Sequence, residues 1–198
     1  MSWLKTFNIA DWISFYRILA APILLVLIGL EAREVFTWML LISYLTDGID
    51  GFVARSLNIS SARGSQLDSY GDQMTLVVAL IGLLVFENQF INENYQLILI
   101  AFVPYILQIV LAFRKYGKAT AFHTYLAKLS AIVQSVFILW LLFFGPVYPL
   151  FYFMIILGVI ETIEEIALIY MFDEWVEGVK GIYWALRDKR RISRQNEG

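Results

Sequence analysis

Cysteine is absent from this chain of 198 residues, and charged residues are scarce. Without cysteine, the chain can form neither a disulfide framework nor a metal site built on thiolates. Only 16% of the residues are charged and 60% are hydrophobic, whereas an ordinary soluble domain contains about 25% charged residues. This composition disfavours a soluble globular protein and indicates a membrane protein.

The hydrophobic residues are grouped in blocks of about twenty, the length that an α-helix needs to cross a bilayer. Polar or turn-forming residues separate the blocks, and the sequence has no internal repeat. We therefore expect an all-α integral membrane bundle of six transmembrane helices, formed by a single domain over residues 1–198. The expected spans are Trp12–Leu30, Val35–Leu57, Asp68–Phe86, Gln96–Phe113, Tyr125–Phe144 and Phe151–Phe172.

The basic residues predict how these spans are oriented. If the N-terminus is cytoplasmic and the chain crosses six times, all but one of the 15 basic residues fall on the cytoplasmic side, and Arg33 is the exception. The positive-inside rule favours this orientation. Residues from about 173 to 198 combine apolar side chains with the basic run Arg187–Arg194, which predicts an amphipathic tail against anionic headgroups. A shorter interfacial segment is expected over Ser2–Phe7.

Four aspartates lie where the second expected span ends and the third begins. Asp47 and Asp50 are three residues apart, and Asp68 and Asp72 are four apart, so each pair shares one face of a helix. The short linker between the spans should make the helices antiparallel neighbours, so that the two pairs face each other. An aspartate costs about 3 kcal/mol at mid-bilayer. A divalent cation with oxygen ligands is the natural compensating partner.

The residues around these aspartates suit a diphosphate that is bound through a metal. Arg55 and Arg63 flank the acids, and guanidinium groups match the geometry of phosphate oxygens. Small residues let a ligand approach the helices closely. They are Gly48, Gly51, Ala54 and Gly64.

The order of these residues resembles the signature of the CDP-alcohol phosphotransferase family. That signature reads Asp-x-x-Asp-Gly-x-x-Ala-Arg, then eight residues, then Gly-x-x-x-Asp-x-x-x-Asp, and it occupies residues 47–72. The matching positions are Asp47, Asp50, Gly51, Ala54, Arg55, Gly64, Asp68 and Asp72. Two fainter similarities extend the likeness. Asn8 and Asp11, followed by Arg17, resemble the family's opening segment, and the run around Lys128 resembles part of the phosphatidylglycerophosphate synthases.

The resemblance implies a phospholipid-biosynthesis enzyme that transfers a phosphatidyl group from CDP-diacylglycerol to the hydroxyl of a small alcohol and releases CMP. It implies Mg²⁺ or Mn²⁺ as the cofactor, with Asp72 as the general base. The implied metal ligands are Asp47, Asp50, Asp68 and Asp72. The implied contacts to the cytidine diphosphate are Asn8, Asp11, Gly51, Ala54, Arg55, Ser61 and Gly64.

The resemblance and the distribution of basic residues together set expectations about partners and location. Membrane lipids are expected partners, nucleic acid is not, and a homodimer is expected because family members often form one. The protein should be a multi-pass protein of the bacterial inner membrane whose active site faces the cytoplasm. The acceptor stays open among glycerol-3-phosphate, inositol or its phosphate, serine and other alcohols.

Charged residues outside the signature allow more than one interpretation. Candidate contacts for the acceptor are Lys128, Arg114 and Glu161. Glu161, Glu164 and Glu165 share one helix face, and they either line a polar cavity or the acceptor pocket or pair with Lys128 or Arg17. The acidic cluster as a whole could instead form an ion or proton path, so a membrane transporter is the alternative function.

Overall fold

The computed structural model describes residues 8–56 and 62–187, and the side chains of these residues apart from positions 10, 50–66 and 69. Within these ranges, six long helices follow one another along the chain. They are α1 (Ile9–Gly29), α2 (Arg33–Ser56), α3 (Ala62–Phe86), α4 (Asn88–Tyr116), α5 (Tyr125–Phe144) and α6 (Tyr148–Met171). The all-α prediction is confirmed for the described ranges, where β-structure is limited to an isolated bridge between Ala121 and Glu177.

Three of the described helices are long and apolar enough to cross a bilayer. These are Asp11–Gly29 in α1, Asn88–Tyr116 in α4 and Tyr125–Phe144 in α5, while Tyr70–Phe86 in α3 is a shorter apolar stretch. The other two expected spans became helices as well, but acidic residues interrupt their apolar sequence, Asp47 and Asp50 in α2 and three glutamates in α6. The six-span arrangement therefore stays a prediction.

The connections between helices follow the turn signals of the sequence. Gly145 has a φ of +88° after the end of α5, a left-handed conformation that glycine adopts without strain. Pro149 lies in the first turn of α6, where the missing N–H has no helical partner to lose. Glu31 also takes a positive φ, and it lies between α1 and α2.

The chain divides into two compact units, Met1–Asn92 with Ile138–Pro146, and Glu93–Phe137 with Val147–Gly198. In the first unit, α1 packs along both α2 and α3. The Phe36 ring of α2 lies so close to α3 that a Cβ on residue 82 would be 2.3 Å from it, so glycine at this position allows the contact. The apolar core of this unit includes Ala20, Leu24, Phe36, Leu40, Val78, Ala79 and Leu83.

Arg33, at the start of α2, binds the C-terminal end of α5 in the same unit. Its Nε and Nη2 donate to the carbonyl oxygen of Leu142 at 3.2 and 2.9 Å. The guanidinium also forms an ion pair with Glu87, between α3 and α4. A cation beside the last carbonyls of a helix is stabilising because those groups carry partial negative charge.

In the second unit, the segment after α6 packs back onto the connection between α4 and α5. The core there consists of Ala112, Phe122, Leu168, Ile169 and Ala185. The Trp175 indole donates to the carbonyl of Ala119 at 3.0 Å, and Gly178 N–H donates to the carbonyl of Ala121 at 3.1 Å. The first half of the predicted amphipathic tail is thus packed against this unit, while its basic end, from residue 188, lies outside the described residues.

Candidate metal centre

Three of the four predicted aspartate ligands converge in the first unit. Asp47 comes from α2, and Asp68 and Asp72 come from neighbouring turns of α3. One carboxylate oxygen from each lies within 4.8 Å of the others. The side chains are 44%, 42% and 51% exposed, in that order, so they open outward from the helices. Asp50 lies on α2, but its side chain falls outside the described residues, so its role as a ligand stays a prediction.

Arg17 of α1 lies beneath these three aspartates, which we call the aspartate triad. Its guanidinium donates from Nη1 to Oδ1 of Asp47 at 2.5 Å and also to Oδ1 of Asp72. Nη2 donates to Oδ1 of Asp68 at 2.5 Å. The side chain of Arg17 is only 1% exposed. Pairing of Arg17 with the glutamates of the last span stays a prediction.

The sequence contains a signal for this contact. Arg17 is the only basic residue within the first expected span. A charged residue inside a span pairs with an opposite charge or faces a polar cavity. The four aspartates on the next two helices were the largest set of opposite charges available to it.

Gly71 provides the space for Arg17. A Cβ on this residue would lie 3.2 Å from Cζ and 3.3 Å from Cβ and Nε of Arg17. Glycine at position 71 therefore lets the arginine side chain lie against the backbone of α3, one residue before Asp72. Gly71 was not among the small residues that the sequence singled out, because only the position of α1 shows why it must be small.

The carboxylate oxygens of the aspartate triad are suitable ligands for a divalent cation, and the net charge of the triad with Arg17 also suits one. With the carboxylates ionised, three negative charges surround one positive charge. The net charge is two negative units, which one divalent cation would balance. Arg17 binds Oδ1 of each carboxylate, and a carboxylate carries two oxygens that can act as ligands. Oxygen-only ligand sets favour hard cations such as Mg²⁺ and Mn²⁺ over softer metals.

A sequence profile of the CDP-alcohol phosphatidyltransferase family matches residues 7–168, most of the chain. The chain belongs to this family. The resemblance read from residues 47–72 is thereby confirmed, and membership favours a transferase over a transporter. The family generally uses a divalent metal, in keeping with the donors of the triad. A comparison with curated proteins gives no match.

Two residues that the family resemblance assigned to the nucleotide form the start of α1. Asp11 N–H donates to the Asn8 side chain at 2.8 Å, and Asn8 N–H donates to Oδ2 of Asp11 at 3.1 Å. This reciprocal arrangement is a capping box, which satisfies two backbone donors at a helix start. Contact with a nucleotide stays a prediction for both residues.

The remaining predicted nucleotide contacts lie around the connection between α2 and α3, where the structure describes no side chains from residue 50 to residue 66. Gly51, Ala54 and Arg55 belong to the last turns of α2, and Gly64 to the first turn of α3. Their side chains fall outside the described residues, as does the whole of Ser61. Their assignment to the nucleotide therefore stays a prediction.

The candidate acceptor contacts, Arg114, Lys128 and Glu161, all belong to the second unit, on α4, α5 and α6. On the same face of α6 as Glu161, Glu165 accepts hydrogen bonds from Gln108 at 2.6 Å and Thr120 at 2.8 Å. Glu164 accepts the backbone N–H of Ile182 at 3.1 Å. Two of the three glutamates therefore hold together parts of the second unit. A role in acceptor binding stays a prediction.

Proposed function

We propose that this protein transfers a phosphatidyl group from CDP-diacylglycerol to the hydroxyl of a small alcohol and releases CMP. The observation that supports this most is the aspartate triad, which carries an excess of two negative charges in a chain of the CDP-alcohol phosphatidyltransferase family. That excess suits a divalent cation, and a diphosphate is a natural further ligand of such a cation.

The triad and Asp50 would hold Mg²⁺ or Mn²⁺, which when bound supplies charge stabilisation for the diphosphate and the leaving group. Arg17 keeps the carboxylates of the triad together and correctly oriented. Asp72 accepts the proton of the acceptor hydroxyl. The acceptor oxygen then bonds to the phosphorus that carries the diacylglycerol, and the bond from that phosphorus to CMP breaks, so that CMP leaves with the electron pair.

The residues of the signature and of the first helix would bind the nucleotide. We assign this role to Asn8, Asp11, Gly51, Ala54, Arg55, Ser61 and Gly64. Lys128, Arg114 and Glu161 are assigned to the acceptor, whose identity we leave open. We further propose six membrane spans, a site that faces the cytoplasm of a bacterial inner membrane, and a homodimer.

The proposed reaction is tested by CMP release from labelled CDP-diacylglycerol with Mg²⁺ or Mn²⁺ and a panel of alcohols. We expect Asp72→Asn to lower turnover at least about 100-fold, in the range that a general base contributes. Asp173→Asn is a matched control, because Asp173 is fully exposed and belongs to the second unit. No CMP release from the wild type with any alcohol would contradict the reaction, and full activity of Asp72→Asn would contradict the assigned base.

A further inference from the structure

The segment that follows α6 packs back onto the second unit and exposes one side to its surroundings. Its described part covers residues 172–187, includes a short helix over residues 182–187, and is called the C-terminal strap below. We propose that the outer face of the strap, formed by Lys180, Tyr183, Leu186 and Arg187, docks on anionic phospholipid headgroups at the bilayer surface. The sequence predicts headgroup contact for the whole tail from about residue 173, whereas this inference assigns it to the part from Lys180 onward.

The hydrogen bonds of the strap place it at the level of the headgroups. Besides the two bonds described above, the carbonyl oxygen of Lys180 accepts the N–H of Tyr125 at 3.2 Å. All three bonds join the strap to the connection between α4 and α5 or to the first residue of α5. The two helices are candidate spans over Asn88–Tyr116 and Tyr125–Phe144. A connection between two spans lies at a bilayer surface, so the strap bound to it lies at the same surface.

The short helix of the strap has an inner face and an outer face. On the inner face, Ala185 is buried and Ile182 packs against the core of the second unit. On the outer face, Tyr183 is 65% exposed and Leu186 is 45% exposed, and Arg187 is exposed as well. Residues three and four positions apart share one side of a helix. The protein therefore holds this helix by one side and leaves an aromatic, an aliphatic and a basic side chain together on the other.

Charge is separated along the tail. The acidic residues of its first part are Asp173, Glu174 and Glu177. Basic residues of the α4 end and the following connection face this part, because Lys115 pairs with Asp173 at 3.4 Å and Lys118 Nζ lies 3.5 Å from the centre of the Trp175 ring. From residue 180 to residue 194 the sequence contains six basic residues and one acidic residue, and the positions from 188 lie outside the described residues. Positive charge in excess therefore begins at the outer face of the strap.

Anionic lipid is the partner that matches both properties of the outer face. Tyrosine is enriched at membrane interfaces, where its ring lies at the level of the headgroups. Leu186 can enter the boundary of the acyl chains, as the apolar side of an interfacial helix does. Each basic residue near an anionic surface strengthens binding by about 1 kcal/mol, which is about fivefold in the binding constant. Neutral headgroups offer only the apolar part of this attraction.

The absence of cysteine allows a clean test in the full-length protein. We would label Leu186→Cys with the fluorophore NBD, which emits at shorter wavelength in apolar surroundings, and reconstitute it in nanodiscs of phosphatidylcholine with or without phosphatidylglycerol. We expect a blue shift when phosphatidylglycerol is present, and its loss in 1 M NaCl, where the Debye length is about 3 Å. Glu174→Cys is the matched control, because Glu174 is exposed in the acidic part of the same strap. Its label should give the same emission in both lipids.

Charge variants of the labelled protein test the basic residues directly. At about fivefold for each charge, Lys180→Gln combined with Arg187→Gln should lower the docking constant roughly 25-fold when the phosphatidylglycerol content is titrated. Both side chains are exposed, so the fold should tolerate the change. Lys180→Arg combined with Arg187→Lys keeps both charges, and it should dock as the unsubstituted residues do.

Four results would overturn the inference. They are equal NBD emission in the two lipid compositions, a shift that survives 1 M NaCl, the same shift at Glu174→Cys, and a docking constant that the glutamine variants leave unchanged. A blue-shifted label in detergent free of phospholipid would also overturn it, because protein would then cover the face. CMP release plays no part in these measurements, so the inference is tested whether or not the proposed transfer reaction is correct.

Discussion

Two arginines of the first unit, Arg17 and Arg33, are surrounded in opposite ways. Arg17 is buried beneath three half-exposed aspartates. The Arg33 side chain is 41% exposed, and its acidic partner Glu87 is only 11% exposed. Around Arg17 the carboxylates therefore open outward, whereas around Arg33 the carboxylate points inward and the cation opens outward.

The balance of charge differs as well. Among the described residues, Arg33 pairs with one carboxylate and with carbonyl oxygens at the end of α5, so this ion pair carries no excess charge. Burial raises the pKa of Glu87 above its usual value, against the effect of the Arg33 charge. Arg17 has three carboxylates, two more than its charge can balance. An accessible excess of charge distinguishes a ligand site from a structural ion pair, although both contain an arginine bound to carboxylate.

Removing an aspartate of the triad should have the largest effect of the changes that test this comparison. We expect Asp47→Ala to lower turnover about 100- to 1000-fold, because it removes a ligand that helps to stabilise developing charge. Mn²⁺ affinity, measured by electron paramagnetic resonance, should fall with it. Glu87→Ala is the control, and it should lower thermal stability while Mn²⁺ affinity stays unchanged. Normal Mn²⁺ affinity in Asp47→Ala would show that Asp47 is not a ligand.

Removing the arginines should separate the two clusters by their response to metal. Arg17→Gln leaves three carboxylates facing one another, and we expect it to cost about 2–3 kcal/mol without metal, less than for a fully buried pair because the acids are half-exposed. Saturating Mn²⁺ should restore much of this stability, since a ligand at 100 times its Kd contributes about 2.7 kcal/mol. Arg33→Gln should also be destabilising, but Mn²⁺ should raise its melting temperature no more than that of the wild type. Equal rescue of the two variants would mean that the clusters do not differ as described.

Much of the aspartate triad could be predicted from the sequence, since it depends on local spacing. The interval between Asp68 and Asp72 fixes one face of α3, and a short linker brings α2 alongside. The place of Arg17 depends on how α1 packs between α2 and α3, which no local pattern specifies. Asn8 and Asp11 are a different case, because their capping box is a local motif that can be recognised in the sequence. The two residues were nevertheless interpreted only as nucleotide contacts.

The number of membrane spans could not be settled by hydrophobic length alone. Six apolar blocks did become six long helices in the described part of the chain. Three of them pass as spans by length and composition, and the other three, α2, α3 and α6, carry acidic residues within the helix. These acidic residues include the candidate metal ligands and Glu161, so the carboxylates that indicate a site also lower the hydropathy of the helices that carry them.

The smallest effect is expected at Gly71, which positions Arg17 without carrying charge. A Cβ at 3.2–3.3 Å from the arginine side chain forces a shift of a few tenths of an ångström. We expect Gly71→Ala to lower kcat about threefold to tenfold, since small misplacements in a site reduce rate. Gly29→Ala, which has open space around it in α1, should leave kcat unchanged. Identical kcat values for the two variants would show that the position of Arg17 does not matter for turnover.

Anomalous diffraction from crystals soaked in Mn²⁺ tests the central claim most directly. We predict an anomalous peak at ligand distance, about 2.0–2.6 Å, from carboxylate oxygens of Asp47, Asp68 and Asp72, with no peak beside Arg33 and Glu87. A triad still bound only by Arg17 in saturating Mn²⁺, with no peak between its carboxylates, would contradict the claim that its excess charge serves a divalent cation.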